Sequence, residues 1–201
     1  MNIITFPTVP APGKMTWKLK RFDTRFTSPL SGTFQDIQRP GAQWQCELSW
    51  EVLAYADAQA LAAWSDQMSQ AGTRTFLPDY AYRIQGTPTG TPAINGTGQT
   101  GNTLALSGFT ASSSNVFCAG DLIQVSTSTQ HQLVRVTANA SANSSGDATL
   151  SITPALRFSP TALNYTSPDV CFAFANAESA MSFTAPLIGS FSISLLEDIT
   201  Q

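Results

Sequence analysis

The chain has 201 residues, of which 42% are hydrophobic and 11% charged, with a formal net charge of −3. That much apolar material supports a proper core and excludes a disordered chain, and a net negative chain without a basic block excludes nucleic-acid binding through a basic face. The charged fraction is less than half of the roughly 25% usual in globular domains, so the surface is either covered by other subunits or coated with Ser and Thr, and composition leaves both open.

Residues 1–9 carry an apolar stretch, but Pro7 breaks it, Pro10 and Pro12 follow, and no basic segment precedes it. That pattern does not read as a secretory signal, and no apolar run reaches the roughly 18 residues that span a bilayer. The expectation is folding in a cytoplasm, where the Asn-x-Ser/Thr matches at Asn95, Asn139, Asn143 and Asn164 stay unmodified. Lys14, Lys18, Lys20, Arg21 and Arg25 cluster next. On a strand Lys18 and Lys20 share a face that Arg21 and Arg25 do not, so no basic stripe results.

Thr16 to Thr27 reads as a strand, Ser28-Pro29-Leu30-Ser31-Gly32 as a turn, and the chain turns again around Arg39-Pro40-Gly41 after a mobile connection. The strongest strand signal runs from Gln43 to Val52. Its unbroken alternation puts Trp44, Cys46, Leu48, Trp50 and Val52 on a buried face, with Gln45, Glu47, Ser49 and Glu51 opposite. Then the period changes. Asp57 as N-cap, Leu61, Trp64 and Met68 on one face and Gly72 at the end predict one amphipathic helix of about four turns that covers an open side of the sheet. Trp64 and Met68 read as core residues and not as a cofactor site. Thr73 to Leu77 resumes as a strand, ended by Pro78-Asp79-Tyr80.

Gly86 to Gly101 is rich in Thr, Pro and Gly and reads as a loop or linker. Short strands follow at 104–106, 121–125, 133–137, 148–152 and 170–174, a spacing that predicts a small barrel or sandwich. In Ser190 to Asp198, Phe191, Ile193 and Leu195 alternate with serines, and such a strand needs a partner sheet. The economical arrangement returns it to the sheet of residues 16–77. Residues 1–84 and 176–201 then form one core from both chain ends, and 85–175 form an inserted β-rich module; two consecutive domains are the alternative. The fold class is mainly β with one amphipathic helix.

Convergent titratable groups are scarce. His131 reads as a hairpin-turn residue, and a site built on it would need Asp121, Asp147 or Asp169 to converge there, which no spacing selects. The glycines at 86, 90, 96, 98 and 101 lack the strand-to-helix context of a phosphate loop. Glu47 and Glu51, about 13 Å apart on the outer face of a strand, are too distant for a retaining carboxylate pair. Cys46, Cys118 and Cys171 are odd in number and far apart, which suits reduced, partly buried thiols better than a disulfide framework or metal site. No catalytic, cofactor-binding or metal-binding residue is assigned, no cofactor is implied, and the chain reads as a non-enzyme.

The order of elements resembles the split β-barrel core of phage distal tail and minor tail-tip proteins. A strand with Lys20-Arg21-Phe22 leads into a Ser/Gly loop and the strand Trp44 to Val52. A helix holding Ala60-Leu61-Ala62-Ala63-Trp64 follows, then Gly72-Thr73-Arg74-Thr75-Phe76-Leu77-Pro78-Asp79-Tyr80, and Ser190 to Asp198 stands where that family's closing strand lies. Cys118 to Val125, Leu133 to Val136 and Gly146 to Arg157 look like a β module recurrent in tail-tip proteins. The resemblance implies a structural virion protein at the tail tip, assembled in the bacterial cytoplasm as a homo-oligomeric ring of six. Its implied partners are the tail tube protein, tail-tip hub proteins and the tape-measure protein, with no membrane contact and DNA only passing through the lumen. The alternative is a carbohydrate- or receptor-binding module, which would want Phe109, Phe117, Phe158 and Tyr165 exposed.

Overall fold

The computed structural model describes residues 2–37, 41–70, 72–80, 82–166, 171–184 and 188–199. It is mainly β with one helix. A six-stranded sheet has the order β1 (Asn2–Ile4), β6 (Thr73–Pro78), β13 (Cys171–Thr184), β14 (Ile188–Glu197), β5 (Gln43–Ala54), β2 (Lys14–Lys20), and it curls into a nearly closed barrel. Among its described strand pairs only β1 and β6 run parallel. The chain between β1 and β2, residues 5–13, runs from one edge strand of this sheet to the other, and its Phe6 packs on Trp50 and Trp64.

The strand β5 alternates as its sequence dictates from Trp44 to Trp50, and then the phase reverses: Val52 is 74% exposed and Leu53 only 2%. Between the pairs Leu53↔Gly189 and Trp50↔Phe191, β5 carries one more residue than β14. This bulge flips every later side chain and corrects the expected inward Val52. The helix α1 (Tyr55–Met68) follows β5 without a loop, so it starts three residues earlier than the expected N-cap at Asp57 implies. Its N-cap is Ala54, with no side-chain hydrogen bond, and Asp57 lies in the first turn, where its charge faces the helix's positive end. Ala58, Leu61, Trp64, Ser65 and Met68 make its buried stripe, which lies across β5, β6, β13 and β14. Trp44, Leu48, Trp50, Leu61 and Trp64 share one core.

The second six-stranded sheet has the order β12 (Ala162–Asn164), β9 (Leu122–Ser126), β10 (His131–Val136), β11 (Ala148–Leu156), β8 (Gly101–Phe109), β7 (Gly90–Ile94), all antiparallel. Residues 86–101, expected as a loop, contain β7, and Cys171–Phe174, expected in the inserted module, pair instead with β6 of the first sheet; Val170 lies outside the described residues. The expected strand Thr16 to Thr27 is broken at 21–23. Its second half, β3 (Thr24–Thr27), pairs with β4 (Phe34–Ile37) in a separate hairpin where a loop was expected. Residues 38–40 of the expected turn lie outside the described residues.

The β9–β10 hairpin is buried on both faces. Ile123, Val125, Val134 and Val136 point into the second core, while Leu122 and Leu133 belong to the first. That double burial is why apolar residues stand side by side at Leu122–Ile123 and Leu133–Val134, where a strand buried on one face would alternate.

Candidate functional site

The β3–β4 hairpin is an arm whose strands pair with each other and, among the described residues, with no other strand. The cross-strand register puts Arg25, Asp36, Thr27 and Phe34 on one face and Thr24, Ile37, Phe26 and Gln35 on the other. Arg25 holds Asp36 through two charge-assisted hydrogen bonds of 2.7 and 2.9 Å and lies over the Phe34 ring at 4.5 Å. The tip is tied by Ser28 N–H donating to Thr33 O at 2.8 Å and Gly32 N–H donating to Ser28 O at 3.0 Å, with Gly32 at φ +68°. On this framework Leu30 is 98% exposed, Phe34 63% and Phe26 56%, and Ile37 and Phe22 are also open. Isolated exposed apolar side chains are ordinary, whereas a group concentrated on one projecting element marks an interaction surface.

A second apolar surface lies on residues 3–9 with Phe76 and Tyr80, which line a groove of about 500 Å³. No residue of the arm lines it. In the sequence the connection Ser28 to Gly41 reads as a polar loop able to reach a neighbour and residues 1–9 as an apolar stretch; the hairpin and the groove are not legible, because β1 and β4 are too short to show a period and β3 reads as part of one strand with β2.

The boundary between the two sheets holds the buried ionic chemistry. Glu197 accepts hydrogen bonds from Arg157 at 3.0 and 2.8 Å and from the Trp44 backbone N–H at 2.9 Å, and Arg157 also donates to Ala42 O at 2.9 Å. Burial raises the Glu197 carboxyl above its usual range, while Arg157 and the Trp44 N–H pull the other way. Trp44 Nε1 donates to Leu133 O at 3.0 Å, and the Arg135 guanidinium lies over the Trp44 ring at 4.8 Å. The Tyr82 hydroxyl meets both the carbonyl and the N–H of Leu122, and burial pushes this phenol up to about 12. These groups are locked to one another, which makes the boundary a structural joint.

The titratable residues singled out in the sequence stay dispersed. His131 opens β10, with its ring edge-on to Phe76 at 5.0 Å and Nδ1 buried without a hydrogen-bond partner among the described residues. Asp121 lies beyond the opposite end of the β9–β10 hairpin, fully buried, where it accepts from the backbone N–H groups of Gln85, Gly86 and Cys118 at 2.8, 3.0 and 2.8 Å. A Cβ on Gly86 would stand 2.6 Å from the Phe117 backbone, so only glycine fits this latch. Asp147 closes the Asn143 turn, and Asp169 lies outside the described residues. Glu47 pairs with Lys18 at 2.9 Å, and Glu51 is exposed. Among the described residues no group of three or more His, Cys, Asp or Glu is placed to hold a metal ion, and no helix is long and apolar enough to cross a membrane. Cys46 and Cys118 are free thiols, with burial raising that of Cys46; the Cys171 side chain lies outside the described residues. Phe109 and Phe117 sit in the second core, and Phe158 and Tyr165 pack against it, so none of these rings forms an open sugar platform.

Comparison with protein-family models and with curated protein sequences returns no match.

Proposed function

We propose that the chain is a structural, non-catalytic virion subunit of a long-tailed bacteriophage. In this reading it forms a ring at the distal end of the tail tube and links the tube to the tail-tip hub. The observation that carries it is the β3–β4 arm, which projects Phe26, Leu30 and Phe34 from a nearly closed barrel. A solitary protein gains nothing from such an arm, whereas an assembly subunit uses it to bury its charge-poor surface against neighbours. The order of strands and helix supports the reading through its resemblance to the tail-tip core, and a net charge of −3 suits a ring that lets DNA through its lumen, since fixed cations would retain phosphates. The tube protein, the hub proteins and the tape-measure protein are the partners in this proposal.

The test is an electron cryo-microscopy map of assembled particles with the chain located by its sequence-specific density. The expected result is an axial ring between tube and hub. Density in a fibre or on a capsid overturns the reading.

A further inference from the structure

The arm and the groove on residues 3–9 are apolar surfaces that no described element of the chain covers, and they match in polarity. The arm is convex. Its tip is tied by backbone hydrogen bonds of 2.8 and 3.0 Å, which hold Leu30 outward before any partner arrives. A two-stranded hairpin standing alone is marginal in water, so the open apolar side chains at its tip and on its two faces call for cover. The groove is concave, about 500 Å³, and lined by Ile3, Ile4, Phe6, Val9, Phe76 and Tyr80 among others. Residues 26–35 at the arm tip and 2–13 around the groove contain no charged side chain. Burying one against the other leaves no ion desolvated, whereas a polyanion or a charged peptide would find no counter-charge in the groove.

The geometry points to a second copy of this chain as the occupant: the arm of one copy seats Leu30 in the residue 3–9 groove of the next. The arm leaves the sheet after β2, one edge strand, and the groove is built on β1 and β6 at the other edge. Donor and acceptor surfaces are therefore different parts of the molecule, and the contact repeats head to tail from copy to copy. The docking deepens the ring reading; only closure of the repeat into a ring rests on that reading.

The experiment uses the full chain with a photo-crosslinking amino acid at position 30, mixed from natural-isotope and ¹⁵N-labelled preparations. The expected products are mixed-label cross-links from position 30 to the tryptic peptides 1–14 or 75–83, which hold the groove. Leu30→Asp should weaken self-association by about tenfold or more, the loss expected for one buried leucine. Because Leu30 is 98% exposed in the single chain, that variant keeps the parent's tryptophan emission, and Leu30→Met keeps both emission and self-association. Same-label products only, cross-links to other surfaces, or a chain that stays monomeric up to its solubility limit overturns the docking. Groove cross-links found in a dimer or an open filament keep the docking and overturn the closed ring.

Discussion

The second sheet pairs strands that lie near one another in the chain, β7 with β8 and β9 with β10, whereas the first sheet joins β5 to β14 across the whole of the second. Both sheets have six strands, and each has its own buried cluster. They differ in when their contacts become available. The local sheet closes short loops and can form without the chain ends, while the other waits for residues 188–197 to return and fill the place between β5 and β13. What holds the C-terminal strand is therefore the first sheet's own need for a central strand, more than any property of the strand by itself.

Removing that strand should produce the largest effect. Deleting 190–201 takes Phe191, Ile193 and Leu195 out of the first core and leaves β5 and β13 with unpaired edges. All four tryptophans lie between residues 17 and 64, so tryptophan emission reports chiefly the first sheet and its helix, with Trp44 also touching β10 of the second sheet through Leu133 and Arg135. The truncated chain should lose its cooperative emission change on heating, while amide exchange still protects β8 to β11. Retention of the emission transition would show that the first sheet does not depend on its central strand.

Point substitutions sharpen the same contrast. Trp50 is buried, touches the rings of Phe6 and Phe191, and donates from Nε1 to Pro10 O at 2.8 Å. Trp50→Ala should cost about 3 to 5 kcal/mol, read chiefly as lost exchange protection in the first sheet. Asp121→Ala should cost about 3 kcal/mol, because three backbone N–H groups lose their acceptor in a buried site. Its loss of protection should fall on the second sheet. If both variants lower protection equally in both sheets, the Arg157–Glu197 joint makes the molecule one cooperative unit and the contrast fails.

What could be read from the sequence follows the same division. The run Trp44 to Trp50 and the stripe Ala58, Leu61, Ser65, Met68 have one buried face each, so their periods are visible without tertiary information. The inward turn of Leu53 is not, since the bulge exists only in the pairing with β14. Nor is β1, three residues long, whose place is set by β6. For the candidate surfaces, the turn Ser28 to Gly32 was legible from Pro29 and Gly32. That Phe26, Phe34 and Ile37 stay outside was not, because an apolar alternation looks alike whether a core or a partner covers it. Arg157 and Glu197 stand forty residues apart and carry no local signal that they meet.

The smallest expected effect tests the joint between the sheets through His131. The ring opens β10 on the face that Leu133 turns toward the first core, against Phe76 of β6, so it bridges the two regions. Burial lowers its pKa below 6.5, because a charged imidazole would lose hydration there, and among the described residues its buried Nδ1 has no hydrogen-bond partner. In the unfolded chain the same histidine binds its proton near pH 6.5, the ordinary value. The unfolded state therefore takes up more protons just below that pH. The stability contributed by the neutral ring is present above about pH 6.5 and is lost as pH falls through it toward the lower folded value. The melting temperature of the parent should fall more between about pH 7.5 and about pH 5.5 than that of His131→Gln, which cannot titrate. Carboxylates cancel in that difference, since they ionise alike in both proteins. An equal fall in the two would mean that the ring is solvated in its charged form, and that the contact of β10 with β6 is looser than its edge-on packing on Phe76 implies.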